Sequence, residues 1–312
     1  MSDDRAISSS NSCASLRMVM ESRFDTIEFI PGKNSGRYPY CHSVYVEADL
    51  KVVIDPASDR DRLGRLLSGP GVDAVWLSHW HEDHFKYLYL FDKKELWISE
   101  IDAPPLQDIE RFIQWYGMNE EERRFWQPMI VEQFHYRPRQ ADRFFKGEET
   151  IDLGGVTVDV IPTPGHTPGH RSFYFREPEV LFLGDYDLTP FGPWYGDVYS
   201  DIEAVIASIN RLRHVPARVW IAGHEQGVFE SEPGELWDRY LHTIEEREAK
   251  LLDFLKEPRN MTEIVNARIL YGRPREPKEF YDFGERVHMA KHLERLMSQG
   301  KVMMRDGTYH LT

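Results

Sequence analysis

The chain has 312 residues, of which 41% are hydrophobic and 29% are charged, and its formal net charge is −14. This balance is typical of a globular enzyme with one large domain and a smaller one. The acidic surface disfavours binding to a nucleic-acid backbone, and no run of about 18 apolar residues is present to cross a membrane. Two cysteines, Cys13 and Cys41, provide no disulfide framework, which agrees with a cytoplasmic protein.

The N-terminal part begins with polar, Ser-rich residues 1–17, which have no apolar signal core and are expected to form a disordered tail. Residues 25–31, 42–49 and 51–57 then have the pattern of β-strands joined by short turns. An amphipathic helix follows at residues 59–67. Strands and helices in alternation predict a layered α/β domain.

Four apolar runs further along the chain end next to residues that can bind a metal. They are residues 72–78 before His79, 156–165 before His166, 179–184 before Asp185 and 218–223 before His224. Short apolar runs bounded by glycine, proline and polar residues predict buried strands. If these strands share a sheet, their C-terminal ends can converge on one site.

A dense group at residues 79–84 completes the candidate ligands. The full set is His79, His81, Asp83, His84, His166, Asp185 and His224. Seven ligands suffice for two ions, and imidazole with carboxylate suits zinc, iron or manganese better than calcium. On an extended strand end His79 and His81 can face the same way, and His166 could complete a three-histidine site. Asp83, His84 and His224 remain for a second ion, and the two oxygens of Asp185 could bridge both.

Four motifs carry a resemblance to a known family. HWHEDH at 79–84, TPGHTPGH at 163–170, FLGDYD at 182–187 and AGHE at 222–225 resemble the metallo-β-lactamase superfamily, over about residues 26–228. The set is similar to glyoxalase II and related thioesterases and lactonases rather than to true β-lactamases, many of which have a zinc-ligand cysteine where Asp185 stands. The resemblance implies an αββα sandwich over residues 18–230, with a dinuclear site at one edge of its two sheets.

Other residues near these motifs are candidates for supporting roles. His170 resembles a family histidine that supports the ligands from behind, with a simple turn histidine as the alternative. In the loop 186–201, Tyr186, Trp194 and Tyr195 are candidates for substrate contact, with plain packing as the alternative. Aromatic residues around two candidate helices at 106–117 and 120–130 could belong to the core or line an apolar substrate channel.

Residues 231–312 form a predicted C-terminal module of mainly helical character. Helical patterns cover 235–255, 261–270 and 283–300, and a hairpin turn is indicated at Arg305-Asp306-Gly307. This order resembles the winged-helix-like module appended to some members of the superfamily. From 260 to 312 there are nine Lys and Arg against seven Asp and Glu, which is only weakly basic. A flap over the site or a dimer surface is therefore favoured over DNA binding, and a homodimer stays open.

The predicted function is hydrolysis of a small-molecule thioester, lactone or other carboxylic ester. Two divalent ions, zinc first and iron or manganese as alternatives, would hold a hydroxide between them, because a bound metal lowers the pKa of water to about 7. Asp83 would aim this hydroxide or carry a proton to the leaving group. Three alternatives remain: a sulfur dioxygenase with one iron on His79, His166 and Asp185, a metal-dependent nuclease, and a binding module with little turnover.

Overall fold

The computed structural model describes residues 21–312, so the expected tail at 1–17 and Cys13 lie outside the described residues. Two β-sheets stack face to face, and helices cover both outer faces. This is the αββα sandwich that the sequence predicts. Within residues 21–312 no helix is both long and apolar enough to span a membrane.

The first sheet contains seven strands that lie side by side in chain order. They are β1 (Ser22–Phe24), β2 (Ile27–Ile30), β3 (Ser43–Val46), β4 (Val52–Ile54), β5 (Ala74–Trp76), β6 (Glu95–Ser99) and β7 (Arg143–Phe145). Strands β1 to β4 pair antiparallel, and β4 to β7 pair parallel. The helices between these strands are α1 (Arg60–Ser68), α2 (Glu82–Phe85), α3 (Pro104–Gln107), α4 (Ile109–Trp115) and α5 (Glu120–Glu132), with 3₁₀ turns at Lys33–Gly36 and Leu88–Phe91.

The second sheet has six strands in the order β13-β12-β11-β10-β9-β8. They are β8 (Glu149–Asp152), β9 (Thr157–Pro162), β10 (Arg171–Phe175), β11 (Val180–Phe182), β12 (Val219–Ile221) and β13 (Val228–Phe229), and helix α6 (Ile202–Leu212) connects β11 to β12. Strands β9 and β11 both run antiparallel to β10, and β12 runs parallel to β11. The C-terminal ends of β9, β11 and β12 therefore open on the same edge.

The strands alternate between the two sides of each sheet. Val52 and Ile54 face the interior between the sheets, whereas Val53 faces the helices outside, because successive side chains of a strand point to opposite faces. At the centre of the interior, Trp76 stacks on Trp97 with ring centroids 5.4 Å apart. Trp76 is fully buried, so this layer fixes the spacing of the two sheets whose edges hold the candidate ligands.

The C-terminal region contains α7 (Glu235–Phe254), α8 (Met261–Asn266), α9 (Lys278–Ser298) and the hairpin β14 (Val302–Arg305) and β15 (Thr308–Leu311). The predicted hairpin is confirmed, and its two turn residues, Asp306 and Gly307, have φ values of 51° and 76°. Helix α9 begins five residues before the predicted helix at 283–300, and α8 is shorter than predicted. Helix α7 packs Trp237 against the second sheet and Leu251 into the C-terminal core, so it joins the two parts.

Convergence of the four runs that precede the candidate ligands was predicted on the condition that they share one sheet. In the structure these runs lie in two different sheets. The run before His79 contains β5 of the first sheet, whereas those before His166, Asp185 and His224 contain β9, β11 and β12 of the second. The side chains nevertheless meet, because the ends of these strands in both sheets open on a common edge of the sandwich.

Candidate metal centre

The seven candidate ligands lie together in two groups at this edge. The first cluster is His79, His81, His166 and Asp185, and the second cluster is Asp83, His84 and His224. Within each cluster one side-chain nitrogen or oxygen atom from every member lies within 4.8 Å of the others. Six of the seven residues, all except His224, are less than a tenth exposed. The structure brings together the residues that the sequence grouped, and it places Asp185 with the first cluster.

The local backbone differs from the extended strand end that the spacing of His79 and His81 suggested. Strand β5 ends at Trp76, and both histidines follow in irregular backbone before α2. His166 Nε2 nevertheless lies 3.1 Å from His79 Nε2 and 2.9 Å from His81 Nδ1. The turn at the edge brings these nitrogens together, rather than the period of a strand.

Asp185 lies between the two clusters and directs one oxygen to each. Its Oδ2 atom is 3.2 Å from His166 Nε2 and 3.9 Å from His79 Nε2. Its Oδ1 atom is 2.7 Å from His84 Nε2 and 3.3 Å from His224 Nε2. The carboxylate therefore has the placement that a ligand shared by two ions would need.

The nitrogens that face away from the clusters determine which nitrogen of each ring carries a proton. His166 Nδ1 lies 3.0 Å from the carbonyl oxygen of Trp194, and His224 Nδ1 lies 3.1 Å from that of Tyr40. A carbonyl oxygen only accepts hydrogen bonds, so both Nδ1 atoms donate. In the neutral ring each Nε2 atom then turns a lone pair towards the centre.

The remaining histidines are oriented in the same way by carboxylates and a serine. The outward nitrogens of His81 and His84 lie 2.9 Å from carboxylate oxygens of Asp197 and Asp55, respectively. Ser78 Oγ donates its one proton to Asp55 at 2.6 Å. His79 Nδ1 lies 2.9 Å from Ser78 Oγ and must therefore donate its proton to this hydroxyl oxygen. In their neutral forms, the five imidazoles thus direct their lone pairs to a common centre. Such a donor set fits divalent cations, since without one the facing nitrogens would repel each other.

The pKa values of these groups reflect burial and the single shared carboxylate. Burial lowers the pKa of His81 and of His166 to about 4, so both stay neutral. Burial also disfavours the charged forms of His84 and His224, but the Asp185 carboxylate outweighs it and raises the pKa of both well above the usual value. Those two imidazoles in turn outweigh the burial of Asp185 and hold its pKa well below the usual range. Metal binding at the second cluster therefore displaces protons.

His170 lies directly behind Asp185. Its Nε2 atom accepts a hydrogen bond of 3.2 Å from the backbone N–H of Asp185, and its Nδ1 atom lies 2.8 Å from Thr163 Oγ1. The preceding residue, Gly184, has φ of 63°, and a Cβ atom there would lie 2.4 Å from His170 Nε2. Only glycine lets β11 turn into the site while His170 holds the next amide.

The three aromatic residues proposed for substrate contact occupy different surroundings. Trp194 lines a cavity of about 390 Å³ that opens over the clusters. Tyr186 and Tyr195 are fully buried. The Tyr186 hydroxyl donates to the carbonyl oxygen of Thr163 at 2.9 Å, and the Tyr195 hydroxyl contacts Arg247 and His292. Of these three, the structure therefore brings Trp194 to the cavity, and the rings of the other two pack into the outer face of the second sheet.

Several residues at the site were not identified from the sequence. Asp55 and Asp197 hold the outward nitrogens of two histidines, and Glu82 on the cavity wall accepts hydrogen bonds from the hydroxyls of Tyr38 and Tyr116. Asp55 carries a recognisable signal, since it follows the apolar strand β4 just as Asp185 follows β11. Asp197 lies in an irregular loop and has no comparable signal.

The fold and the site define an αββα protein with a metal-binding edge. The family model "Metallo-beta-lactamase superfamily" matches residues 38–224, more than half of the chain, and the chain belongs to that superfamily. The resemblance seen in the motifs is thereby confirmed.

Relatives and solved structures agree with this assignment. Hydroxyacylglutathione hydrolase from Synechococcus sp. (strain JA-3-3Ab) is 39% identical over 185 residues, 57% of this chain and 60% of the relative. Hydroxyacylglutathione hydrolase GloC from Haemophilus influenzae is 28% identical over 194 residues, 59% of this chain and 84% of the relative. The metallo-beta-lactamase family protein TTHA1429 from Thermus thermophilus is similar in fold, with a TM-score of 0.67, 21% identity and coverage of 92% of this chain and 99% of that one. The chain spans 32% to 65% of the length of four other curated relatives.

Proposed function

We propose that this protein is a dinuclear metal-dependent hydrolase that cleaves a thioester, a lactone or another carboxylic ester. The observation that carries the proposal is the position of Asp185, whose two oxygens face two separate clusters of ligand atoms. The second cluster is also largely buried, and both of its imidazoles are oriented by hydrogen bonds to their outward nitrogens. It therefore favours two ions over the single iron of a sulfur dioxygenase.

The chemistry follows from this arrangement. Two divalent ions, zinc first and iron or manganese as alternatives, would supply a water with a pKa near 7 and a polarised substrate carbonyl. Asp83 lines the cavity, and its Oδ2 atom lies 3.7 Å from His224 Nε2. From this position its carboxylate would hydrogen-bond the attacking water to aim it, or would carry a proton from that water to the leaving group. Trp194 on the cavity wall packs against the substrate.

The bond that is cut is inferred from the chemistry of the relatives. Both of the curated relatives described above are named hydroxyacylglutathione hydrolases, and such a substrate is a thioester. An aspartate at position 185, where many true β-lactamases have cysteine, favours ester-type substrates over lactams. Residues 18–230 would carry the catalytic groups, and the module 231–312 would close one side of the cavity, where Phe280 and Phe283 already lie.

The proposal is tested by metal analysis combined with a panel of esters, thioesters, lactones and phosphodiesters. We expect two ions per chain and metal-dependent cleavage of at least one carboxylic substrate. Asp185→Ala should lose bound metal and turnover while its circular dichroism spectrum stays that of the wild type. Asp61→Ala, an exposed aspartate in α1, is the matched control and should keep both. Full activity of Asp185→Ala, or cleavage of phosphodiesters alone, would contradict the proposal.

A further inference from the structure

Aromatic residues from four separate segments of the chain line the cavity over the clusters. Tyr38 precedes β3, Tyr116 and Trp126 lie at the end of α4 and in α5, Trp194 lies in the loop before α6, and Phe280 and Phe283 belong to α9. These rings pack against one another, with centroids 5.3 Å apart for Tyr38 and Phe280 and 5.2 Å for Trp126 and Phe280. The cavity is thus built chiefly from aromatic surface.

Positive charge is scarce in this wall. Arg37 is the one lysine or arginine among the described residues that line the cavity. Its guanidinium makes two hydrogen bonds of 2.9 Å to the carboxylate of Glu225, so its charge is already paired. The other charged residues on the wall, outside the candidate ligands, are the acids Glu82, Asp187 and Glu225. Outside the metal centre, a negatively charged part of a substrate would face these acidic residues, and the one basic residue of this wall is already paired.

Two of the three tyrosine hydroxyls on the wall, those of Tyr38 and Tyr116, are also engaged in hydrogen bonds within the protein, and Tyr281 is the third tyrosine there. Tyr38 donates to Glu82 Oε1 at 2.9 Å, and Tyr116 donates to Glu82 Oε2 at 2.6 Å. Both hydroxyl protons therefore point at Glu82 and away from a substrate. The rings of Tyr38 and Tyr116 present apolar surface to the cavity, and burial of apolar groups of a substrate against this surface is favourable.

We propose that the substrate is an uncharged ester, thioester or lactone with a bulky apolar group that occupies the cavity of about 390 Å³. This inference rests on the proposed hydrolase function. It distinguishes this site from one that seats an anionic acyl group or an anionic carrier inside the cavity.

The test uses the metal-loaded full chain and p-nitrophenyl esters of increasing acyl length, each paired with an ester of equal length whose acyl chain ends in a carboxylate. We expect kcat/KM to rise about threefold to fourfold for each added methylene until the cavity is full. The carboxylate-ended esters should react at least tenfold more slowly than their neutral partners.

A pair of variants tests the role of the wall directly. Phe280→Arg should reduce the preference for neutral over carboxylate-ended esters at least tenfold. Met304→Arg makes the same change in charge on β14, at a residue that is 61% exposed, and should leave the preference unchanged. Cleavage of the acetyl ester without dependence on acyl length or charge would overturn this inference alone. Failure of the loaded protein to cleave any carboxylic substrate would overturn the proposed function with it.

A second and independent observation concerns one peptide group between Trp194 and Tyr195. Its carbonyl oxygen accepts the hydrogen bond from His166 Nδ1, and its N–H lies 3.4 Å from Nε2 of His288 in α9. Further along the same loop, Lys291 of α9 donates to the carbonyl oxygen of Val198 at 2.6 Å. Helix α9 therefore holds the loop that orients a candidate ligand of the first cluster.

The second cluster is oriented from elsewhere. Asp55, which faces His84, follows β4 of the first sheet, and the carbonyl of Tyr40, which faces His224, precedes β3. We infer that His288 is a positioning residue for the first cluster, so that α9 controls the affinity for one of the two ions. This also rests on the proposed dinuclear site, but its readout is metal affinity and not turnover.

Zinc titration against a competing chelator tests this second inference. His288→Leu should bind one ion on the order of 10–100-fold more weakly and keep the other. His288→Gln retains an acceptor for the Tyr195 N–H and should restore the affinity. His292→Leu, a buried histidine of the same helix that does not contact this peptide, is the control.

Lys291→Met removes the contact to Val198 at a more accessible position and should weaken the same ion. If His288→Leu does not fold, the metal affinity of Lys291→Met decides whether helix α9 positions the first cluster. Equal weakening of both ions, unchanged affinity, or the same loss in His292→Leu would overturn the inference.

Discussion

Replacing Asp55 by asparagine tests whether one buried carboxylate fixes the protonation pattern of the metal centre. Asp55 Oδ1 accepts the backbone N–H of Ser78 at 2.8 Å, and Oδ2 contacts Ser78 Oγ at 2.6 Å and His84 Nδ1 at 2.9 Å. Asparagine has one carbonyl oxygen, and the Ser78 N–H requires it at the Oδ1 position. The amide NH₂ must then face His84 and the serine hydroxyl.

This exchange reverses the hydrogen bonds on both sides of the centre. His84 Nδ1 would have to accept, which moves the ring proton to Nε2 and points it at the metal position. Ser78, now an acceptor from the amide, would donate to His79 Nδ1 and move the proton of that ring as well. Loss of such a partner typically weakens metal binding 10–100-fold, or by about 1.4–2.7 kcal/mol per ion.

The assay is metal affinity by chelator competition, with thermal unfolding to confirm that the variant folds. Asp73→Asn is the control, because Asp73 is an exposed carboxylate just before β5 that accepts the backbone N–H of Lys51. The reasoning is refuted if folded Asp55→Asn binds both ions as tightly as the wild type. Weaker binding of only one ion would limit the reversal of hydrogen bonds to His84.

Three further predictions concern stability. At a free-metal concentration about 1,000 times Kd, bound metal should stabilise the folded protein by about 4 kcal/mol. Removing the metal with a chelator should therefore lower the Tm. An unchanged Tm argues against bound ions. Trp76→Ala should cost about 3–5 kcal/mol in denaturant unfolding because the side chain is fully buried between the sheets, whereas exposed Met303→Ala should change little. Burial holds the pKa of His288 well below its usual value. Below about pH 6.5 the unfolded chain therefore binds a proton at this histidine that the native chain does not bind, and the free energy of unfolding decreases as the pH is lowered. His288→Gln should therefore lose less stability on acidification than the wild type, and an equal loss would exclude this contribution.

The sequence predicts the layers of the fold and the types of ligand because both depend on local pattern. Apolar runs before His79 and His166 are strands in the structure, and the alternation of Val52, Val53 and Ile54 separates the interior from the outer face. The assignment of these runs to one sheet or two depends on pairings between distant segments. No local pattern carries that information, and the runs lie in two sheets, as the resemblance to the superfamily implied.

The aromatic residues illustrate the same limit at the site. The position of Tyr186 next to Asp185 suggested substrate contact, but in the turn that follows β11 Asp185 faces the site and Tyr186 enters the outer core. The rings that do line the cavity include Tyr38 and Phe280, which are far from every ligand motif in the chain. Their role follows from the docking of α9 against α5, which sequence periodicity does not specify.

The ligand motif alone is insufficient for a metal centre, because each imidazole has two nitrogens and only one can face an ion with a lone pair. In this chain the choice is made by groups outside the motifs. Asp197 and the carbonyl of Trp194 act from the loop before α6, whereas Asp55 acts from the end of β4. A chain with the same motif but different partners would present N–H groups to the metal and bind it weakly. Hydrolytic competence therefore depends on how the sandwich and α9 place these partners as much as on the histidines themselves.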